Sequence, residues 1–209
     1  MPSLIAKQKE KAVVTKLKKF YSSFSQAYQM AINENGTIDN WGLVDKTFWY
    51  DENGAAHITD ESKASAQEFI NIILPYYVSS KYNKHMDSYT LPDGISIVQP
   101  DLGISNCIQD NSQHCGRFRV DLKNADKNNN QSFLFDIYKD KVVPFGTYMD
   151  RWFSNNKDMV DETFRRDYGG NHVHCTAWVI YNENMDYLHC PNDLSWYGAK
   201  TCKEAQKNK

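Results

Sequence analysis

The segment Gly169-Gly170-Asn171-His172-Val173-His174-Cys175 gathers the chain's most reactive side chains, with two imidazoles two residues apart and a thiol beside them. On a strand, residues i and i+2 point the same way, so His172 and His174 would offer two nitrogen ligands, or a base, on one face. A third and fourth zinc ligand would have to come from His114, Cys115, His189 or Cys190, at spacings that no zinc family requires. The expected role is therefore a polar turn entering a strand, with Cys175 buried or in a disulfide. His114-Cys115 and His189-Cys190 are sequence neighbours, which does not set the geometry that a Cys–His nucleophile needs. No G-x-S-x-G, P-loop or G-x-G-x-x-G occurs. The loop from Asp121 to Asn130, with Asp126, Asn128 and Asn130, alternates oxygen side chains that could hold Ca²⁺. It lacks the sixth-position Gly and the closing Glu of an EF-hand, and a hairpin loop is expected. No catalytic residue, cofactor or metal is expected.

A second concentration of charge lies at the start, where Lys7, Lys9, Lys11, Lys16, Lys18 and Lys19 meet only Glu10. Phosphates or lipid head groups suit such a run. Yet these lysines sit opposite an apolar stripe, without interleaved stacking aromatics or Arg, so a solvated helix face is the expected reading. Nucleic acid is not expected as a partner, and Lys plus Arg (24) against Asp plus Glu (26) leaves a net charge of −2 with no global pull toward polyanions.

The elements that must position these residues begin with strong helical periodicity. Val13, Leu17, Phe20, Phe24, Ala27 and Ala31 alternate spacings of four and three, with Val14, Tyr21 and Tyr28 flanking them. This predicts one amphipathic helix over 3–33, stopping at Asn35-Gly36 because Gly accepts the positive φ that closes a helix. Thirty residues would span about 45 Å. Pro2 and the apolar Leu4, Ile5 and Ala6 precede the lysines, so the helix reads as truncated at its start, with Met1 either internal to a longer helix or a replacement.

Residues 34–93 are expected to hold an aromatic-anchored loop (Trp41, Phe48, Trp49, Tyr50) and a second helix capped by Thr59 or Asp60, with Phe69, Ile70, Ile73 and Tyr77 as its buried stripe. From Gly94 the period changes to two. Expected strands are Ile95 to Val98, Arg117 to Leu122, Ser132 to Tyr138, Lys141 to Pro144 and Thr176 to Tyr181. Phe118, Val120 and Leu122 would face inward while Arg117, Arg119 and Asp121 face out. Helices first and strands afterwards predict an α+β fold with an antiparallel sheet. Residues 94–202 would carry the sheet and the cysteine-rich region, and 203–209 a flexible tail.

The 209 residues suit a single domain, and 41% apolar with 13% aromatic residues can fill a core. No run approaches the roughly 18 consecutive apolar residues that cross a bilayer, and the N-terminus lacks a signal-peptide apolar region. All five cysteines fall at 107, 115, 175, 190 and 202. Two disulfides and one spare thiol would suit an oxidising, extracytoplasmic compartment, with the connectivity open.

The stretch from Pro2-Ser3-Leu4-Ile5-Ala6-Lys7 into Val13-Val14-Thr15-Lys16-Leu17-Lys18-Lys19-Phe20-Tyr21 resembles the second half of the long first helix of bacterial type IV pilin-like proteins and type II secretion pseudopilins. Cys175-Thr176-Ala177-Trp178-Val179-Ile180-Tyr181, followed by Asn184-Met185-Asp186-Tyr187-Leu188 and Cys190, is similar to the closing segment of a pilin-like group. Phe118 to Asp121 and Phe133 to Gly146 resemble that group's central strands. The basic leader and the apolar helix with a Glu that mark the family are not in this sequence. The resemblance implies one pilin-like domain over 1–209, whose first helix packs on an antiparallel sheet, and an upstream apolar segment that anchors the precursor in the membrane. It implies other pilin-like subunits as partners, and disulfides tying the C-terminal region. On this reading Val13, Leu17, Phe20, Phe24 and Tyr28 dock the helix, and Trp178 and Tyr187 belong to the closing strand and its following turn. Cys107 pairs with Cys115 and Cys190 with Cys202, each closing a short loop, with Cys175 left over. The rivals are a secreted binding module or adhesin that uses the 41–50 aromatics, and a zinc or cysteine hydrolase centred on His172, His174 and Cys175.

Overall fold

The computed structural model describes residues 4–77, 83–85, 88–109, 113–122, 131–146 and 175–207. The fold is α+β, with a long N-terminal helix and antiparallel sheets. Its contacts group the chain into two compact units, one of residues 1–21, 131–134 and 144–209, the other of 22–130 and 135–143.

Helix α1 (Leu4–Asn35) is 32 residues long. Its apolar stripe is buried as the periodicity requires: Val13, Val14, Leu17, Phe20, Phe24, Ala27, Tyr28 and Ala31. Gly36 closes it with φ 76°, the left-handed conformation expected at Asn35-Gly36. The carbonyl of Gly36 then accepts a hydrogen bond from the Trp41 indole at 2.8 Å, which fixes the exit of the chain.

In the second unit, residues expected only as an aromatic loop contain a hairpin, β1 (Phe48–Tyr50) against β2 (Ala56–Ile58), with Trp49 opposite His57. Its turn is held by the Asp51 carboxylate, which accepts from the amides of Asn53 and Ala55, both at 2.9 Å. Helix α2 (Asp60–Ile73) starts where Thr59 accepts from the Ser62 amide, with Asp60 and Glu61 in its positive first turn. A 3₁₀ turn over Leu74–Tyr76 ends it at Pro75.

The main sheet has six strands in sequence order, β3 (Asn83–His85), β4 (Ser88–Thr90), β5 (Ile95–Leu102), β6 (His114–Leu122), β7 (Gln131–Tyr138) and β8 (Val142–Pro144). It begins at residue 83 rather than 94, because β4 pairs antiparallel with β5, Tyr89 opposite Ile97. On β6, Phe118, Val120 and Leu122 are buried while Arg119 is exposed, as the alternation predicts. β5 carries an irregularity between Val98 and Asp101. At Gly116, opposite Leu102, a Cβ would collide with the Asp101 carbonyl oxygen, so no other residue fits there without displacing backbone. Helix α3 (Ile104–Gln109) bridges β5 and β6.

Thr176 to Tyr181, expected as the closing strand, is instead helix α4 (Thr176–Asn182). Thr176, Ala177, Trp178, Val179 and Ile180 are buried in succession and only Tyr181, next in the chain, is exposed, so burial does not alternate along the segment. Glu183 ends it with φ 56°. Tyr187 accordingly lies in a 3₁₀ turn, Asp186–Leu188, beyond a helix rather than a strand. Residues 203–207, expected in a flexible tail, belong to helix α5 (Cys202–Lys207). No described helix is long and apolar enough to cross a membrane.

Candidate functional site

The second unit shows how α1 is seated on the sheet. Phe24 lies 4.8 Å from Phe118 of β6, and Phe118 stacks on Phe135 of β7 at 5.3 Å and 15°, offset-stack distances for aromatic pairs. One turn on, Tyr28 contacts Trp41 at 5.8 Å and Phe69 of α2 at 6.3 Å. Its hydroxyl donates to the Tyr138 carbonyl at 2.8 Å. Burial, aided by the nearby Asp140 and Asp39 carboxylates, pushes the Tyr28 hydroxyl well above its ordinary pKa. Desolvation acts on Tyr77 in the same direction, with Asp93 adding to it. The Gln29 amide donates to the Asp140 carbonyl. Beside it, partial desolvation raises the pKa of Asp39, but hydrogen bonds from Lys139 and Thr37 and the Lys139 charge, 2.7 Å away, hold it below the ordinary value.

The first unit carries the other docking residues, Val13, Leu17 and Phe20, all buried. Here α1 is tied to the C-terminal segment by two polar links, Glu10 to His189 at 2.8 Å and Lys18 to Glu183. That segment is organised around Trp178, whose indole sits edge-on to Trp196 at 5.1 Å and donates to Asn184 at 3.1 Å. Asn184 in turn donates to the carbonyls of Asn182 and Lys200. The Asp186 carboxylate accepts from the Cys202 amide at 2.7 Å.

Both cysteine pairs named above are joined: Cys107 to Cys115 with Cα atoms 4.4 Å apart, and Cys190 to Cys202 with 5.7 Å. Cys175 lies outside both disulfides and is buried. The first bond ties α3 to β6; the second closes the C-terminal segment onto α5. Two disulfides fit an oxidising environment. They also take Cys115 and Cys190 out of the set of thiolate ligands considered with His172 and His174. Those two histidines, with Asp126, Asn128 and Asn130, lie outside the described residues. Among the described residues no group of three or more His, Cys, Asp and Glu side chains is placed to hold a metal ion.

Residues 3–187 match a family of unknown function, DUF6613. The chain belongs to that family. No curated protein and no solved structure matches it. This member of DUF6613 also holds a buried charge cluster that residue types alone do not announce. Asp136 of β7 is 0% exposed, and its Oδ1 accepts from Arg117 Nε at 2.7 Å and lies 3.2 Å from His114 Nε2, both on β6. A carboxylate holding an imidazole is the arrangement that orients a general base. Here the same oxygen is shared with a guanidinium and the adjacent Cys115 is oxidised, so the cluster works as a buried ion pair across two strands. Along the sequence Asp136 only alternates with Phe135 and Ile137; its pairing with Arg117 arises once β6 and β7 are neighbours.

The hairpin adds an exposed aromatic surface, with Phe48 at 48%, Trp49 at 52% and Tyr50 at 70%. Trp49 stacks on His57 at 4.6 Å, and His57 lies 2.9 Å from Asp51. Its base is fixed to α2 by Ser62 and Ser65, which accept from the amides of Thr47 and Val44, each at 2.8 Å.

Proposed function

We propose that the chain is the soluble part of a membrane-anchored, pilin-like structural subunit of an extracytoplasmic pilus or pseudopilus, located at the cell envelope or surface. The observation that carries this reading is the uneven burial of α1. Its apolar stripe is buried from Val13 onward, whereas Leu4 and Ile5 at its start are 73% and 66% exposed. A helix held along one part and bare along the other suits a subunit that keeps its own fold while offering its end to a membrane and to other subunits. The resemblance of both chain ends to pilin-like proteins points the same way, and the two disulfides suit the compartment. The mechanism is assembly, with the partners other copies or relatives of this subunit and the membrane reached through an upstream apolar segment. Photo-crosslinking in the native envelope from a reactive group placed at Ile5 tests it. A ladder of subunit multiples is expected; monomer alone, or a gene with no apolar stretch of about 20 residues in frame before Leu4, overturns it.

The hairpin favours a second reading, a secreted binding module that does not assemble. Phe48, Trp49 and Tyr50 would then be its contact residues. An ordinary cleavable signal peptide upstream, with monomer in the crosslinking experiment, selects it.

A further inference from the structure

We infer that the outer edge of β1 is a docking strand for a short, extended peptide carrying lysine or arginine at alternate positions, which adds to the hairpin as a third strand. The hairpin buries almost nothing of its own: from Thr47 to His57 every residue except Asp51 is exposed. A hairpin left alone in water is marginally stable, and this one is held by the Asp51 carboxylate on the Asn53 and Ala55 amides and by Trp49 on His57. The two strands form a sheet of their own, so each has an outer edge unpaired among the described residues. The Thr59 amide donates to the Thr47 carbonyl and the Asp51 amide to the Ala55 carbonyl, both at 3.1 Å. Such bonds alternate along an antiparallel pair, which directs the N–H and C=O groups of Phe48 and Tyr50 away from β2. An edge of this kind is a template for another main chain.

Charge and area select the occupant. Between residues 45 and 63 the chain carries Asp45, Asp51, Glu52, Asp60 and Glu61 against Lys46 and Lys63. Both lysines are engaged within the chain, Lys46 with Asp101 at 3.2 Å and Lys63 with Asp60 at 2.9 Å. Glu52 and Glu61 are exposed and have no ion-pair partner among the described residues. The surplus is negative, so the complementary partner is cationic. The rings agree with that choice. Lys46 Nζ stands 5.3 Å from the centre of the Phe48 ring, and Tyr50, 70% exposed, offers a second ring to a cation from outside. Three aromatic rings of about 150–250 Å² each, roughly half exposed, present on the order of 300–400 Å². A stable interface between folded proteins needs about 800 Å² on each side. A short segment fits the smaller area, whereas a second copy of the chain or a globular partner does not. A neutral sugar would stack on the rings but would not repeat the N–H and C=O pattern of the edge.

This inference rests on the second reading only for the hairpin being a contact surface, and it names the ligand. The test is fluorescence anisotropy of a labelled, end-capped hexapeptide of alternating lysine and valine with the 209-residue chain, in about 0.1 M salt. Binding is expected, weakening as salt rises, while the matching glutamate–valine peptide stays unbound. The lysine–valine peptide N-methylated at every residue, which has no donors for the edge, should not bind either. Tyr50→Ala should weaken binding on the order of tenfold, and Glu52→Gln/Glu61→Gln about three- to fivefold, each with an unchanged circular dichroism spectrum. No binding, equal binding of the glutamate–valine or the N-methylated peptide, or full affinity in Tyr50→Ala each overturns the proposal. So does displacement of the peptide by cellohexaose, a neutral oligosaccharide, or a dimer of the chain that Tyr50→Ala dissolves. The oligosaccharide result would leave the binding-module reading standing. A crosslinked ladder from Ile5 would remove that reading while leaving the peptide affinity as it is.

Discussion

From Val13 to Ala31, α1 buries a side chain every three or four residues, whereas from Leu4 to Ala12 it buries none, although both stretches are helical. The difference lies in what stabilises each. Isolated helices shorter than about 12–15 residues are marginal in water, so the first nine residues do not hold themselves. They extend a nucleus that the packed stretch has already formed, and each added residue then gains a hydrogen bond without a new nucleation cost. Glu10, through His189, gives them a polar attachment. Propensity carries the bare end; the aromatic seam and the buried stripe carry the rest.

The largest effect should come from breaking the packed stretch. Phe24→Ala removes the ring against Phe118 and should cost about 3–5 kcal/mol, read as a fall in the urea midpoint at unchanged slope. Next is the covalent tie in the C-terminal segment. Cys190→Ser/Cys202→Ser opens a loop of sequence separation 12 and should cost about 3 kcal/mol, a loss that reducing agent should reproduce in the native chain alongside the effect of the other bond. Tyr28→Phe is smaller, about 1–2 kcal/mol, because it removes the buried hydrogen bond from the Tyr28 hydroxyl to the Tyr138 carbonyl.

Tyr28 also gives the seam a pH signature. Its folded pKa is raised above the ordinary 10.0, so the folded state favours the neutral phenol. That contribution is complete below about pH 10 and is lost as pH rises beyond it. Tyrosinate absorbance should therefore appear together with unfolding in alkali, with a shallower stability loss in Tyr28→Phe. Smallest of all, Ile5→Ser at the bare end should change stability by less than about 0.5 kcal/mol. A loss as large as that of Phe24→Ala would erase the contrast between the two stretches.

Much of this architecture is readable from residue types. The four-three spacing locates the seam, Gly36 its end, and Thr59 or Asp60 the start of α2, of which Thr59 is the cap, because each rests on local backbone chemistry. The α4 segment was not readable as a helix. Thr176-Ala177-Trp178-Val179-Ile180 is short, β-branched and aromatic, and complete burial removes the periodicity that separates helix from strand. The β1–β2 hairpin had its marker in Asn53-Gly54, but Trp, Phe and Tyr around it read as loop anchors because the strands are only three residues long. The Asp136 cluster needed two strands side by side. Nothing along the chain sets Arg117 against Asp136 until β6 and β7 are neighbours.

Amide hydrogen exchange along α1 tests the central contrast most directly. Protection should be near zero from Lys7 to Ala12 and should rise at Val13 toward the global unfolding free energy through Ala31. Uniform protection over the whole helix, or fast exchange across the seam, would contradict the account.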